Sequence, residues 1–577
     1  MRNLTLPKKS EIKSVFASFS RREWVIFAAL SLGLAFSALA MLEKLNQSFM
    51  VSVPARGGEI TEGVVGTPRF INPVLAFSDA DRDLTELIYS GLMRETPEGL
   101  IPDLAESYEV SKDALVYTFI LKDKIHFHDN APLTADDVIF TINEAKDPIL
   151  KSPRASNWEG VSAEKIDERT VKFTLRQPYA SFLENATLGI LPEHIWSETP
   201  IELNDANTNP VGSGPYKVAK VNKHSSGAIN SYELAAFEKF SLGKPFIKKL
   251  TLKFYPNETE LTQALRGKTV NQASSLGPEN AEALKERGYR IETAVLPRVF
   301  GLFFNQSQNQ IFTDKNVIRA IDRAIDKERI VKKVLRGYGA VIDGPIPPPL
   351  LSAPELRAQS ASTAAERIAE AQMILEKAGW KKNADGILEK TATVNKKKTT
   401  TALAFSISTG NAPELAQSAQ LIKEDLAQLG ILVEVKTYET GNLNQGVIRP
   451  RKYDALLFGQ IINNLSDLYA FWHSSQRKDP GLNIAIYTNA RVDKILEDAA
   501  LLEDPLEREK KYSQFEAEIK KDLPTVFLYS PSFIYVVQED LQGLDIGRIA
   551  APAERFGGVY RWYLATDNIW KIFIREK

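Results

Sequence analysis

The stretch Leu87–Ile142 reads LIYSGLMRETPEGLIPDLAESYEVSKDALVYTFILKDKIHFHDNAPLTADDVIFTI. Val116–Leu121 (VYTFIL) and Lys124–His128 (KIHFH) alternate bulky apolar residues with polar ones, the pattern of short half-buried strands. Thr134-Ala135-Asp136-Asp137 is a capping box: hydroxyl and carboxylate each satisfy a backbone N–H that the first helical turn leaves free. It opens a helix carrying Val138, Phe140, Thr141 and Ile142. Just upstream, Asp81–Leu92 predicts a helix that closes at Gly91. Strands and capped helices interleaved at this spacing predict an α/β protein.

Outward from this stretch the same alternation continues. Residues 58–66 (GEITEGVVG) predict a first strand and 170–176 (TVKFTLR) another. Thr313 and Asp314 start a helix with Val317, Ile318, Ile321 and Ile325 on one face. Thr363 and Glu366 cap the next, with Ile368, Ala371 and Leu375 inward and Gly379 closing it. Strand 403–409, a helix with Pro413 in its first turn and Gly430 at its end, and strand 431–437 form one βαβ unit. A parallel pair with a right-handed crossover follows from that order. Asp504-Pro505-Leu506-Glu507 caps a helix carrying Tyr512, Phe515 and Ile519, and 525–537 (TVFLYSPSFIYVV) reads as strand around Pro531. Lys396-Lys397-Lys398 is expected in a solvated loop.

At the N-terminus, Arg2, Lys8, Lys9, Lys13, Arg21 and Arg22 stand against Glu11 and Glu23, and Trp24–Leu42 (WVIFAALSLGLAFSALAML) carries no charge. That run spans roughly 28 Å as a helix, close to a bilayer core. The basic leader places the N-terminus inside and the rest of the chain outside. The expectation is an uncleaved signal anchor over 24–42, behind a cytoplasmic leader over 1–23 and before a linker over 43–56. Ala38-Leu39-Ala40 also resembles a signal-peptidase site, which would make the segment a cleaved signal peptide with the same destination.

The chain has 577 residues, too many for one core, with 72 Lys+Arg against 73 Asp+Glu. That balance gives no sign of a nucleic-acid partner. Cysteine is absent, which removes disulfides, thiolate metal sites, a Cys nucleophile and a lipobox tether. His126 and His128 share one strand face, yet no third ligand stands in metal spacing, so no metal is expected. Gly267-Lys268-Thr269 looks like the end of a P-loop, but Thr262 stands where the first glycine is needed. Gly212-Ser213-Gly214-Pro215 reads as a tight turn, since Pro215 offers no N–H to an anion. No G-x-S-x-G or H-E-x-x-H occurs, and no acidic pair stands out. No catalytic residue and no cofactor are expected.

The ordered runs resemble the family 5 extracellular solute-binding proteins, which include oligopeptide- and dipeptide-binding proteins. The resemblance is carried by PDLAESYEVS, by the hairpin TFILKDKIHFHDN and by PLTADDVIFTI. It continues through Val211–Tyr216 (VGSGPY), Phe304-Asn305, Asp314–Gly339 (DKNVIRAIDRAIDKERIVKKVLRGYG), Ala378–Trp380, 421–435 (LIKEDLAQLGILVEV), 452–459 (KYDALLFG), 471–476 (FWHSSQ) and 490–499 (ARVDKILEDA). Together they cover roughly 57–565. The resemblance implies a two-lobed periplasmic-binding-protein-like fold with an extra inserted subdomain. It implies a first lobe from 57–92, 198–296 and 522–577, the insertion at 93–197, and a second lobe at 297–521. It further implies no chemistry. An extended peptide or peptide-like ligand is held between closing lobes through main-chain hydrogen bonds and passed to the permease and ATPase subunits of an ABC importer. The missing P-loop agrees with energy coming from a separate ATPase.

Ligand contacts are expected at Phe77, Ser78 and Asp79 on one side, from their place just before the Asp81 helix, and, by the same resemblance, at Gln460, Ile461, Asn463, Asn464 and Asp467 on the other. Here the chain departs from its relatives. Peptide-binding members carry Gly-Trp-x-x-Asp-Tyr after the YDA strand, and the Asp pairs with the peptide's α-ammonium. In this chain Gln460 replaces the Trp and Asn463 the Asp. A buried ammonium with no carboxylate would cost several kcal/mol. Either Asp467 takes over the pairing, or the ligand has no free amine there. A membrane-tethered sensor on the same fold, or a binding protein for a sugar or metal chelate, are the alternatives.

Overall fold

Thr134 opens its helix as the capping box predicts. Asp137 Oδ2 accepts from the Thr134 N–H at 2.9 Å and from its hydroxyl at 3.3 Å, and the helix spans Ala135–Lys146. The computed structural model describes residues 9–178, 182–274, 276–350, 363–394, 397–502 and 504–570. It divides into a small unit, Met1–Arg56 with Tyr563–Lys577, and a large one, Gly57–Trp562.

In the small unit, Ser20 and Glu23 form a capping box that starts a helix running from Arg21 to Phe49. The apolar length Arg21–Gln47 lies wholly exposed. Residues 43–56, expected as a linker, are ordered: the helix continues through 49, and Met50–Ala55 pairs antiparallel with Ala565–Trp570. Asn46 adds to this by accepting a 2.8 Å hydrogen bond from the Trp570 indole. The last described strand therefore belongs with the N-terminal helix and not with the first lobe.

The large unit is built on a mixed twelve-stranded sheet. Glu59–Val65 runs parallel to Lys249–Tyr255, which pairs with Ile229–Ala236 and then Tyr216–Lys223. At the other end, Ala404–Gly410 and Leu432–Tyr438 are parallel neighbours joined by the helix Pro413–Leu429, whose C-cap Gly430 takes φ 88°. That is the βαβ unit the sequence predicts. One strand serves both halves. The first part of Thr525–Val537 pairs with Arg298–Phe304 and Gly339–Val341, the last part with Arg290–Val295. The division between the expected lobes thus crosses this strand instead of preceding it. Two apolar cores flank the second-half sheet. Leu302, Ile321, Ile407 and Leu426 lie in one, and Phe303, Leu456, Trp472 and Phe515 in the other.

The segment 93–197 builds its own four-stranded antiparallel sheet from Ala105–Val110, Val116–Leu121, Thr170–Leu175 and Val161–Asp167. Phe119, Trp158, Phe173 and Phe182 fill its core through edge-to-face contacts. Two expectations change here and beyond. Lys124–His128 makes only a single bridge, His126 to Pro132, because Lys124 and Asn130 turn the chain at φ 55° and 73°. Lys397 and Lys398 begin a strand, Lys397–Ala402, paired with Leu388–Val394, whereas Lys396 lies outside the described residues.

Candidate ligand site

The loop before the helix Asp79–Ile88 is shaped by one buried carboxylate. Asp81 accepts backbone N–H groups from Arg69 (2.6 Å), Phe70 (2.9 Å) and Ser78 (3.1 Å), and the Ser78 hydroxyl at 2.7 Å. Ser78 is therefore committed as the N-cap. Its neighbours turn outward: Phe77 is 77% exposed, an unusual position for a ring, and Asp79 is exposed as well.

The opposing segment alternates. Ile461 is 51% exposed and Asn463 exposed, whereas Gln460 and Ile462 are buried. Neither amide atom of Gln460 has a hydrogen-bond partner among the described residues. Asn464 caps the next turn by accepting from Ser466 N at 3.0 Å. Asp467 Oδ2 accepts from Asn463 N at 2.8 Å and Asn464 N at 3.2 Å. Burial raises the Asp467 pKa and these N–H donors lower it in part. So Asn464 and Asp467 hold the loop, and the Asn463 side chain is left facing outward.

Arg298 lies beside the second segment. It sits in register with Ile461, and Ile462 N donates to Pro297 O at 2.9 Å. Desolvation lowers the Arg298 pKa, and the Asp79 carboxylate across from it opposes that effect. Its Nε is buried without a partner. Asp79 is thus within electrostatic reach of Arg298.

A cavity of about 180 Å³ opens beside the same helix. Ala76, Arg82, Thr85 and Glu86 line it from the first segment, Arg154, Asn157 and Asn185 from the insertion, and Glu554 from the C-terminal part. Arg82 Nε and Thr85 Oγ1 are buried without hydrogen-bond partners among the described residues. Glu86 is bound to Arg94 at 2.9 Å, and Arg94 also pairs with Asp103 at 2.7 Å. Burial, with Glu86 and Glu95 nearby, pushes Glu554 up to about 7. Sequence reasoning missed Arg82, Arg154 and Glu554. Arg82 had a signal, standing one helical turn after Asp79; Arg154 and Glu554 meet only through the fold.

Away from these groups, His126 and His128 hold loop backbone. His128 Nδ1 accepts from Gly212 N at 3.3 Å and its Nε2 donates to Gly214 O at 3.0 Å. His126 Nδ1 meets Lys124 O at 2.7 Å. Among the described residues no group of three or more possible metal ligands comes together.

A profile of the bacterial extracellular solute-binding proteins, family 5 Middle, matches residues 99–480. The chain belongs to this family. The oligopeptide-binding protein AppA of Bacillus subtilis is 30% identical over 523 residues, covering 89% of this chain and 92% of AppA. The structure of Bacillus subtilis AppA in complex with a nonapeptide superposes at a TM-score of 0.64, covering 89% of this chain and all of the other. NikZ from Campylobacter jejuni, solved in complex with Ni(L-His), is 28% identical with a TM-score of 0.66, covering 88% and 99% of the two chains. Family 5 membership makes this a two-lobed binding protein of the extracytoplasmic solute-binding class. The outward-facing groups Phe77, Asp79, Ile461 and Asn463 are this member's candidates for ligand contact.

Proposed function

We propose that the chain is the substrate-binding component of a peptide ABC importer. It captures an extended peptide or peptide-like ligand between its lobes and delivers it to a permease, without catalysing a reaction. The observation that carries this reading is 30% identity to an oligopeptide-binding protein over nearly the whole chain, with the side chains of Phe77, Asp79, Ile461 and Asn463 exposed. Exposed apolar side chains on both segments suit a cargo read mostly through its backbone. Micromolar capture needs only about 8 kcal/mol, which a short added strand and two apolar contacts supply.

The test is native mass spectrometry of the protein purified from its host, followed by calorimetry with synthetic peptides of two to nine residues. A co-purified peptide, or micromolar binding of at least one length, is expected. Retention of a non-peptide cargo with no binding of any peptide would move the reading to another solute. The helix Arg21–Phe49 supports a permanent tether in the membrane, with the large unit outside.

A further inference from the structure

The cavity beside the helix Asp79–Ile88 holds a charge arrangement that the peptide-binding reading does not explain. Arg94 there is neutralised by Asp103 and Glu86. Arg82 and Arg154 are not: both line the cavity and neither guanidinium has an ion pair or side-chain hydrogen bond among the described residues; burial and then Arg82 lower the Arg154 pKa, and Glu554 and Glu86 oppose that. Two unpaired guanidiniums facing one space repel each other and are stabilised by an anion between them. A guanidinium's fork of N–H donors matches a carboxylate, and the bonds are charge-assisted.

We propose that this cavity receives a carboxylate of the cargo between Arg82 and Arg154, so that the protein selects acidic cargo. This rests on the reading of the chain as a solute-binding protein. Thr85 Oγ1, buried and unpartnered in the same wall, supplies a neutral hydrogen bond to the same group. Four glutamates of the chain, Glu86, Glu95, Glu184 and Glu554, line the same cavity, and burial raises the Glu95 pKa. Glu86 is engaged by Arg94. Glu554 already accepts the Ala550 N–H at 2.6 Å, and with its pKa pushed up to about 7 it is only partly charged at neutral pH. The Trp158 and Leu188 walls leave room for aliphatic carbon beyond the charge.

The carboxylate comes either from an acidic side chain or from the peptide C-terminus, and the experiment separates these sources. The full-length protein in detergent is titrated calorimetrically with alanine pentapeptides carrying one Glu at each position in turn, with the matching Gln peptides, and with C-terminal amides of both. Wild type is expected to favour Glu over Gln at one position, or the free over the amidated terminus, by roughly tenfold or more. Arg82→Gln and Arg154→Gln should reduce that preference to about twofold or less, and Arg154→Lys should keep part of it. A wild type indifferent to the acid, or variants that keep the full preference, overturns the proposal. If no peptide binds, the peptide reading fails, and native mass spectrometry of the co-purified cargo decides the cavity. An acidic non-peptide cargo lost from the Arg82→Gln protein supports the carboxylate site; a neutral or cationic cargo, or none, overturns it.

Discussion

Asn463 faces out of its loop while Asp467 spends its carboxylate on the N–H groups of Asn463 and Asn464. An amide oxygen accepts a hydrogen bond from an ammonium but gives it no countercharge. N-terminally acetylated peptides are therefore expected to bind at least as well as free-amine peptides. Asn463→Asp should shift preference toward free amines by about 1–3 kcal/mol, measured by calorimetry on matched pairs. A wild type that demands a free amine, with the demand lost in Asp467→Asn, would show that Asp467 is the anchor despite its capping bonds. His128 gives a second prediction at this scale. Burial lowers its pKa to about 4, against a retained hydrogen bond to Gly214. The unfolded chain protonates this ring near its ordinary pKa of about 6.5, while the folded chain resists until about 4. The His128 contribution is thus complete above the higher value and is lost as pH falls between the two, by up to about 3 kcal/mol. Urea titrations at pH 7 and 5 should show a loss in wild type that is smaller in His128→Gln. The outward turn of Asn463 was legible in the sequence because it follows from strand alternation past Ala455–Ile461. The commitment of Asp467 to a cap was not, since any Asp three residues after an Asn also fits a ligand contact.

The elements of the first half are pinned by groups far apart in the chain. Arg555 is fully buried and bridges Glu62 on the strand Glu59–Val65 (2.6 Å) and Asp83 on the helix Asp79–Ile88 (2.7 Å). Tyr535 of the long strand meets the other Glu62 oxygen at 2.7 Å, and the guanidinium lies over the Phe556 ring at 4.0 Å. Burial raises the Glu62 and Asp83 pKa values, and Arg555 opposes it. Removing the cation strands two carboxylates in the core, so Arg555→Met should cost about 3–5 kcal/mol, read from urea denaturation. An unchanged midpoint would mean that the site collapses around protonated acids. The turn at Gly212–Pro215 makes a comparable joint. A Cβ on Gly214 would stand 2.6 Å from the Ile88 carbonyl carbon, and on Gly212 2.1 Å from its oxygen. Neither glycine appears among those with positive φ; close approach of the helix end is what excludes a side chain. Gly214→Val should lower the melting temperature, or abolish folding, and should break the 2.8 Å bond from Gly214 N to Ile88 O. Elements were legible wherever period and caps agreed, as in Pro413–Leu429 and Lys315–Ala324. The buried triad was not, because Glu62, Asp83 and Arg555 each look like surface charge until the chain is folded.

At the scale of the whole molecule, the N-terminal helix decides whether the protein diffuses or stays at the membrane. The helical span Arg21–Gln47 is 27 residues long and its uncharged core, Trp24–Leu42, is exposed. That core is about 28 Å of helix, close to the thickness of a hydrocarbon core. In water the same surface would be a large exposed apolar patch, the kind that drives association. The flanking charge sets direction: Arg21 and Arg22 and the lysines before them favour the cytoplasmic side. The competing reading is cleavage after Ala38-Leu39-Ala40. Against cleavage stand the long basic leader and the apolar residues that continue past that site to Leu42, within a helix that runs on to Phe49. The mature protein isolated from its host is therefore expected to keep residues 24–42, shown by N-terminal sequencing and by intact mass. Protease added outside the cytoplasmic membrane should digest the large unit while a fragment containing the apolar helix stays with the lipid. A mature chain that begins at Met41, or a large unit that resists external protease until the membrane is broken, would sink the tethered topology.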